Sequence, residues 1–167
     1  MTRILLLSIA LVSAEAADAK TASLAAAKWK TVFDQHGSSL SLPYSTLVRV
    51  PDPAGLSFKT NNGTVSIRLW NTTEPRRDFP GHNPKDDMNL KRTDCDAWPP
   101  SYHKTTEKVA SYSCVLRGRV SYYLGRYSPS GSVTLFVTYP FGLKKPWDDY
   151  ANRMAKSLNQ VERKEVR

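Results

Sequence analysis

Among 167 residues there are two cysteines, three histidines and three methionines. No apolar run approaches the roughly 18 residues of a membrane-crossing helix, so no transmembrane segment is expected. The sequence carries no G-x-S-x-G elbow, no H-E-x-x-H, no phosphate-cradling glycine loop and no paired zinc knuckle. Acidic residues are also few, 15 against 24 Lys and Arg, which leaves a net charge of +9. The basic excess is spread along the chain and interrupted by acids. Nucleic acid is bound by a concentrated stripe or patch, so it is not an expected partner. Hydrophobic residues make up 40%, enough for a core, so a disordered chain is not expected.

The first 19 residues, MTRILLLSIALVSAEAADA, read as an address. Arg3 gives a positive start, Ile4 to Val12 are apolar, and Ala14-Glu15-Ala16 and Ala17-Asp18-Ala19 are small-x-small sites. That is the pattern of a cleaved secretory signal, and it places the protein in the periplasm or outside the cell. Residues 20–28 read as a flexible leader, 29–161 as one domain and 162–167 as a charged tail. In an oxidising compartment an even, small number of cysteines forms bridges. Cys95 and Cys114, 19 apart with no C-x-x-C, are therefore expected to be bonded. His82 and His103 are near in sequence, but their spacing fits no common metal pattern, and no metal or other cofactor is expected.

Apolar alternation marks the strands. Leu40, Leu42 and Tyr44 alternate as far as Pro43, and Pro51 to Gly55 form a loop. Leu56 to Thr60 and Thr64 to Leu69 flank Asn61-Asn62-Gly63, where Asn-Gly is a strong hairpin signal because both residues tolerate positive φ. Residues 72–101 break the pattern with five prolines. Three strands follow. The first carries Ala110, Tyr112, Cys114 and Leu116 on one face. The second is marked by Val120, Tyr122 and Leu124, and the third by Val133, Leu135, Val137 and Tyr139. Trp147, Tyr150, Ala151, Met154, Leu158 and Val161 recur at helical spacing. Pro146 suits the first helical position, with Asp148 and Asp149 in the first turn. The fold class is α+β, an antiparallel sheet sandwich packed by a C-terminal helix.

Several stretches carry a resemblance. They are Trp29, His36-Gly37-Ser38, Leu42-Pro43-Tyr44, Gly55-Leu56-Ser57-Phe58 and Asn62-Gly63, then Val109 to Tyr112, Arg117-Gly118-Arg119, Tyr122-Tyr123, Val137 to Pro140, and Trp147-Asp148 through Ser157-Leu158. In these the chain resembles small exported alphaproteobacterial proteins of the superfamily that includes PsbP photosystem subunits and DcrB lipoproteins. The resemblance implies an antiparallel sheet flanked by helices. It implies no shared chemistry and carries over no functional residue. The proline-rich segment and the cysteine pair depart from it.

The candidate site lies around that segment. Trp70 and Trp98 beside Arg76, Arg77 and Arg92 would form a platform for a sugar or an anion. The function expected is a non-catalytic binding or envelope accessory module, with a small ligand or an anionic envelope component as partner. A hydrolase with an unrecognised site is the alternative. His36 reads as a turn residue. Asp86, Asp87, Asp94 and Asp96 lack the alternation and central glycine of a calcium loop.

Overall fold

The computed structural model describes residues 27–72, 84–85, 88, 95–97, 99–100 and 102–160. The signal and most of the leader read from the sequence lie outside these residues. So do the charged tail, Val161 and most of the proline-rich segment.

Among the described residues nine strands form two sheets. β1 (Lys30–Phe33) and β2 (Ser39–Leu42) pair as a hairpin. β3 (Leu47–Val50), β4 (Gly55–Thr60), β5 (Ser66–Thr72), β6 (Tyr102–Thr105), β7 (Val109–Leu116), β8 (Arg119–Ser128) and β9 (Gly131–Pro140) build the main sheet. Its order is β3-β4-β5-β9-β8-β7-β6, antiparallel throughout. Helix α1 (Lys144–Ser157) follows a short 3₁₀ turn at Phe141–Leu143. A sheet of alternating residues has two faces, and each is used here for a different purpose.

One face carries the main core. Val133, Leu135, Val137 and Tyr139 of β9 are fully buried, as their alternation predicts. Ile67 and Leu69 from β5 and Val120, Tyr122 and Leu124 from β8 join them. Trp147, Ala151 and Met154 press down from α1, with Leu40 and Leu42 of β2 alongside. Burying one such large side chain contributes about 1.5–3 kcal/mol.

The opposite face carries a second cluster of Ala110, Tyr112, Cys114, Tyr123, Tyr127 and Met88. Tyr112 and Tyr123 are cross-strand partners and stack with centroids 5.2 Å apart. The Tyr123 and Tyr127 hydroxyls meet at 3.0 Å above Gly125. A Cβ on Gly125 would stand 2.6 Å from one hydroxyl and 2.9 Å from the other, so only glycine leaves them room. The expected disulfide is present. Cys95 and Cys114 are joined with Cα atoms 5.5 Å apart, and Asp96 donates its backbone N–H to the Val115 carbonyl at 2.7 Å.

Four local readings are corrected. Helix α1 begins at Lys144, not Pro146, and ends at Ser157. Proline is tolerated there because a first-turn N–H has no helical partner. Asp148 and Asp149 therefore fall beyond the first turn, where Asp148 bonds side chains rather than the helix end. The Asn-Gly turn is not the two-residue kind. Gly63 alone has positive φ, and Asn62 Oδ1 accepts from Thr60 Oγ1, Thr64 N–H and Thr64 Oγ1. The tight two-residue turn is Arg117-Gly118, both with positive φ. Finally, β3 and β6 were not foreseen. They are the sheet's two edges, and β6 is exposed along its whole length, so no apolar alternation announces it.

Candidate functional site

Register on the face opposite the helix sets Arg68 of β5 beside Phe136 of β9, and Ser66 beside Thr138 beside Ser121 of β8. Trp70 is two residues beyond Arg68 and so shares its face. Arg119 enters from the start of β8, next to the Arg117-Gly118 turn. These residues other than Ser66, together with Leu116, line a groove of about 410 Å³. Trp70 and Phe136 are half-buried and pack on the tyrosine cluster, which fixes their rings.

The two arginines are not equivalent. Arg68 donates through Nε and Nη2 to the two oxygens of Asp52, at 2.7 and 3.3 Å, and lies over the Trp70 ring at 5.3 Å. The Arg68 hydrogen bond, then those from the Ser57 hydroxyl and the Ala54 N–H, hold the Asp52 carboxyl down at about 2. Arg68 is therefore largely neutralised by an acid. Arg119 donates through Nη2 to the Thr64 carbonyl at 2.8 Å and to Thr138 Oγ1 at 3.3 Å. Among the described residues no carboxylate pairs with it. Its charge is oriented but not cancelled, beside two aromatic rings. Such an arrangement takes an anion that also carries a planar apolar group.

Of the residues named from sequence, Trp70 lines this groove. Arg76, Arg77, Arg92 and Trp98 lie outside the described residues. Arg68 and Arg119 were missed. Arg68 was legible in part, since it sits at i−2 from Trp70 on a predicted strand. Arg119 was not, because its place depends on a register across three strands.

The described histidines lie apart from this groove. His36 sits in the turn after β1, its N–H donating to Asp34 Oδ1 at 2.9 Å and its ring beside the Gln35 amide. His103 Nδ1 is 3.3 Å from the Pro100 carbonyl. Asp96 accepts from the Arg117 N–H at 2.9 Å. Asp86, Asp87 and Asp94 lie outside the described residues. Among the described residues no three His, Cys, Asp or Glu side chains converge as a metal site. No described helix is long and apolar enough to cross a membrane.

No protein-family profile matches the sequence, and no curated protein does. Among solved structures the chain is similar to the solution structure of cyanobacterial PsbP (CyanoP) from Synechocystis sp. PCC 6803. The TM-score is 0.59 at 11% identity, covering 81% of this chain and 94% of that one. At that identity the likeness shows the fold alone. The chain has the PsbP-like α+β fold, and its disulfide is compatible with an extracytoplasmic location.

Proposed function

We propose that the protein is an exported, non-catalytic binding module whose groove on the sheet face opposite α1 takes a small anion bearing a planar apolar group. The observation that carries this is Arg119, held by a carbonyl and a hydroxyl and left without a described acid beside Trp70 and Phe136. Arg68, by contrast, is paired with Asp52. The secretory pattern at the N-terminus and the disulfide support export, with a mature chain starting near Ala17 or Lys20. The resemblance to exported alphaproteobacterial relatives of PsbP and DcrB agrees with that location. An anionic envelope component presenting such a group is the partner this reading favours.

The test is titration of labelled protein with phenyl phosphate, followed by NMR, with inorganic phosphate and phenol as single-feature controls. Phenyl phosphate is expected to shift the amides of Arg68, Arg119 and Phe136 and the Trp70 indole, more strongly than either control. Arg119→Gln should weaken it by about tenfold or more, the loss of one charge-assisted hydrogen bond. Equal binding by Arg119→Gln, or no response at these positions, would sink the proposal. Intact mass of protein recovered from its host tests the export reading. Retention of Met1 would refute it.

A further inference from the structure

A second groove lies on the other side of the sheet, along the flank of α1. The helix packs over β2, β9 and β8, and the groove lies between its flank and the β6–β7 edge. There Tyr102, Ser113 and Tyr122 form one cross-strand row. Lys144, Asp148 and Asn152 of α1 face it at helical spacing across a space of about 340 Å³.

Three features mark this space as a site rather than a packing gap. Tyr122 is more than nine-tenths buried, yet its hydroxyl carries no hydrogen bond from a described residue and opens onto the groove. The hydroxyl itself reaches solvent in the groove, so it is free to give and accept hydrogen bonds with a ligand there. Asp148 accepts from the Tyr139 hydroxyl on Oδ1 and from Lys144 on Oδ2. Those contacts hold the carboxylate still and leave it lone pairs for a further donor. Tyr102, half exposed on the edge strand, and the Val115 and Val120 side give apolar walls.

Charge decides the ligand class. Lys144 and Asp148, the charged residues of the lining, are an ion pair, in contrast to the arginine groove on the opposite face, while Arg126 stands outside the lining with its charge felt at Tyr122. An anion would meet the Asp148 carboxylate, and a cation the Lys144 ammonium. A neutral ring with several hydroxyls meets neither penalty. Its hydroxyls can donate to Asp148 and accept from Tyr122 and Asn152, while its C–H face lies on Tyr102. We propose that this groove is a binding site for a neutral pyranose unit.

The test is an NMR titration of the full mature protein with cellobiose, maltose and diacetylchitobiose. At least one is expected to give saturable shifts at Ser113, Tyr122 and Asn152. Tyr122→Phe keeps the ring and its packing, and Asn152→Ala changes an exposed helical side chain. Each should weaken that sugar by about tenfold, one hydrogen bond's worth. Arg119→Gln should leave it unchanged. Co-sedimentation with peptidoglycan sacculi, competed by the same sugar, would assign the ring to an envelope glycan. Sugar shifts without co-sedimentation would assign it to a free saccharide. Failure of all three sugars at these amides overturns the proposal. So does binding within about twofold of wild type by both folded variants.

Discussion

The Tyr139 hydroxyl donates to Asp148 Oδ1 at 2.5 Å and so ties the end of β9 to helix α1. Tyr139 is itself fully buried and stacks on Trp147, with centroids 6.2 Å apart. The contact fixes how the helix sits along the sheet, and it presents Asp148 to the groove beside it. Tyr139→Phe should keep the stacking and lose the hydrogen bond. We expect a loss of about 1.5–3 kcal/mol by chemical denaturation, the range for a bond to a charged acceptor. A loss below about 0.5 kcal/mol would show that the helix is set by apolar packing alone.

Alkali should weaken the fold through the same core. Burial first, then the nearby Tyr102, pushes the Tyr122 hydroxyl up to about 12 from 10.0. Burial and Asp148 raise Tyr139 too. A raised acid is held protonated in the folded state. Its contribution is complete below pH 10 and is lost as pH climbs toward 12. For Tyr122 the full loss is about 2–3 kcal/mol. Denaturation at pH 9, 10 and 11 should show the decline, and Tyr122→Phe should flatten part of it.

Acid should act through Asp52. Its carboxyl is held at about 2 against an ordinary 3.8, so its contribution is present above 3.8 and lost as pH falls toward 2. Arg68 is half exposed, which screens the pair. Asp52→Asn should cost about 1 kcal/mol at neutral pH and remove this part of the acid transition. Melting temperature against pH, compared between the two proteins, checks it.

The sequence was most legible where burial imposes a period. The β8–β9 meander and the stripe of α1 were readable because Val133, Leu135, Val137, Trp147, Ala151 and Met154 must all avoid water. It was least legible at the edges. Tyr102 to Thr105 form a strand through backbone pairing to β7, with no buried side chain to betray them. Val48 and Arg49 of β3 are exposed for the same reason. The candidate site was half legible. Trp70 and the idea of an aromatic beside an arginine came from local sequence. Arg119 did not, because nothing local says that residue 119 will stand near residues 64 and 138.

Met154 is fully buried at the centre of the α1 stripe, and Lys156 is exposed. Met154→Lys should cost about 3–5 kcal/mol or unfold the chain. Lys156→Ala should change stability by no more than about 0.5 kcal/mol. Thermal melts of the pair decide it, and equal effects would refute the assignment of the buried face.

Reduction of Cys95–Cys114 should cost about 3 kcal/mol in the chain-entropy picture, given a separation of 19. The bond fastens residues 95–96 to β7, and Asp96 accepts from Arg117 in the turn beside the arginine groove. Limited proteolysis with and without reductant should therefore show new cleavage N-terminal to Cys95 before any in β7 to β9. Thiol counting comes first. Two free thiols in protein recovered from its host with thiol trapping would refute the bridge in the cell, and unchanged cleavage would refute its fastening role.

The strand order also governs how the chain finds its fold. β3-β4-β5 and β6-β7-β8-β9 are two meanders of neighbours in sequence, each able to close over short turns. They meet along one seam, β5 with β9, where partners such as Ser66 and Thr138 are 72 residues apart. Closing a long loop costs entropy before any contact offsets it, so this seam belongs late on the path. Hydroxyl pairs sit at both its ends, Ser66 with Thr138 at 2.7 Å and Thr72 with Ser132 at 2.8 Å. A slip of one residue would break both pairs and turn Ile67 and Leu69 out to the wrong face. The two halves can therefore form in either order, but they can join in only one alignment.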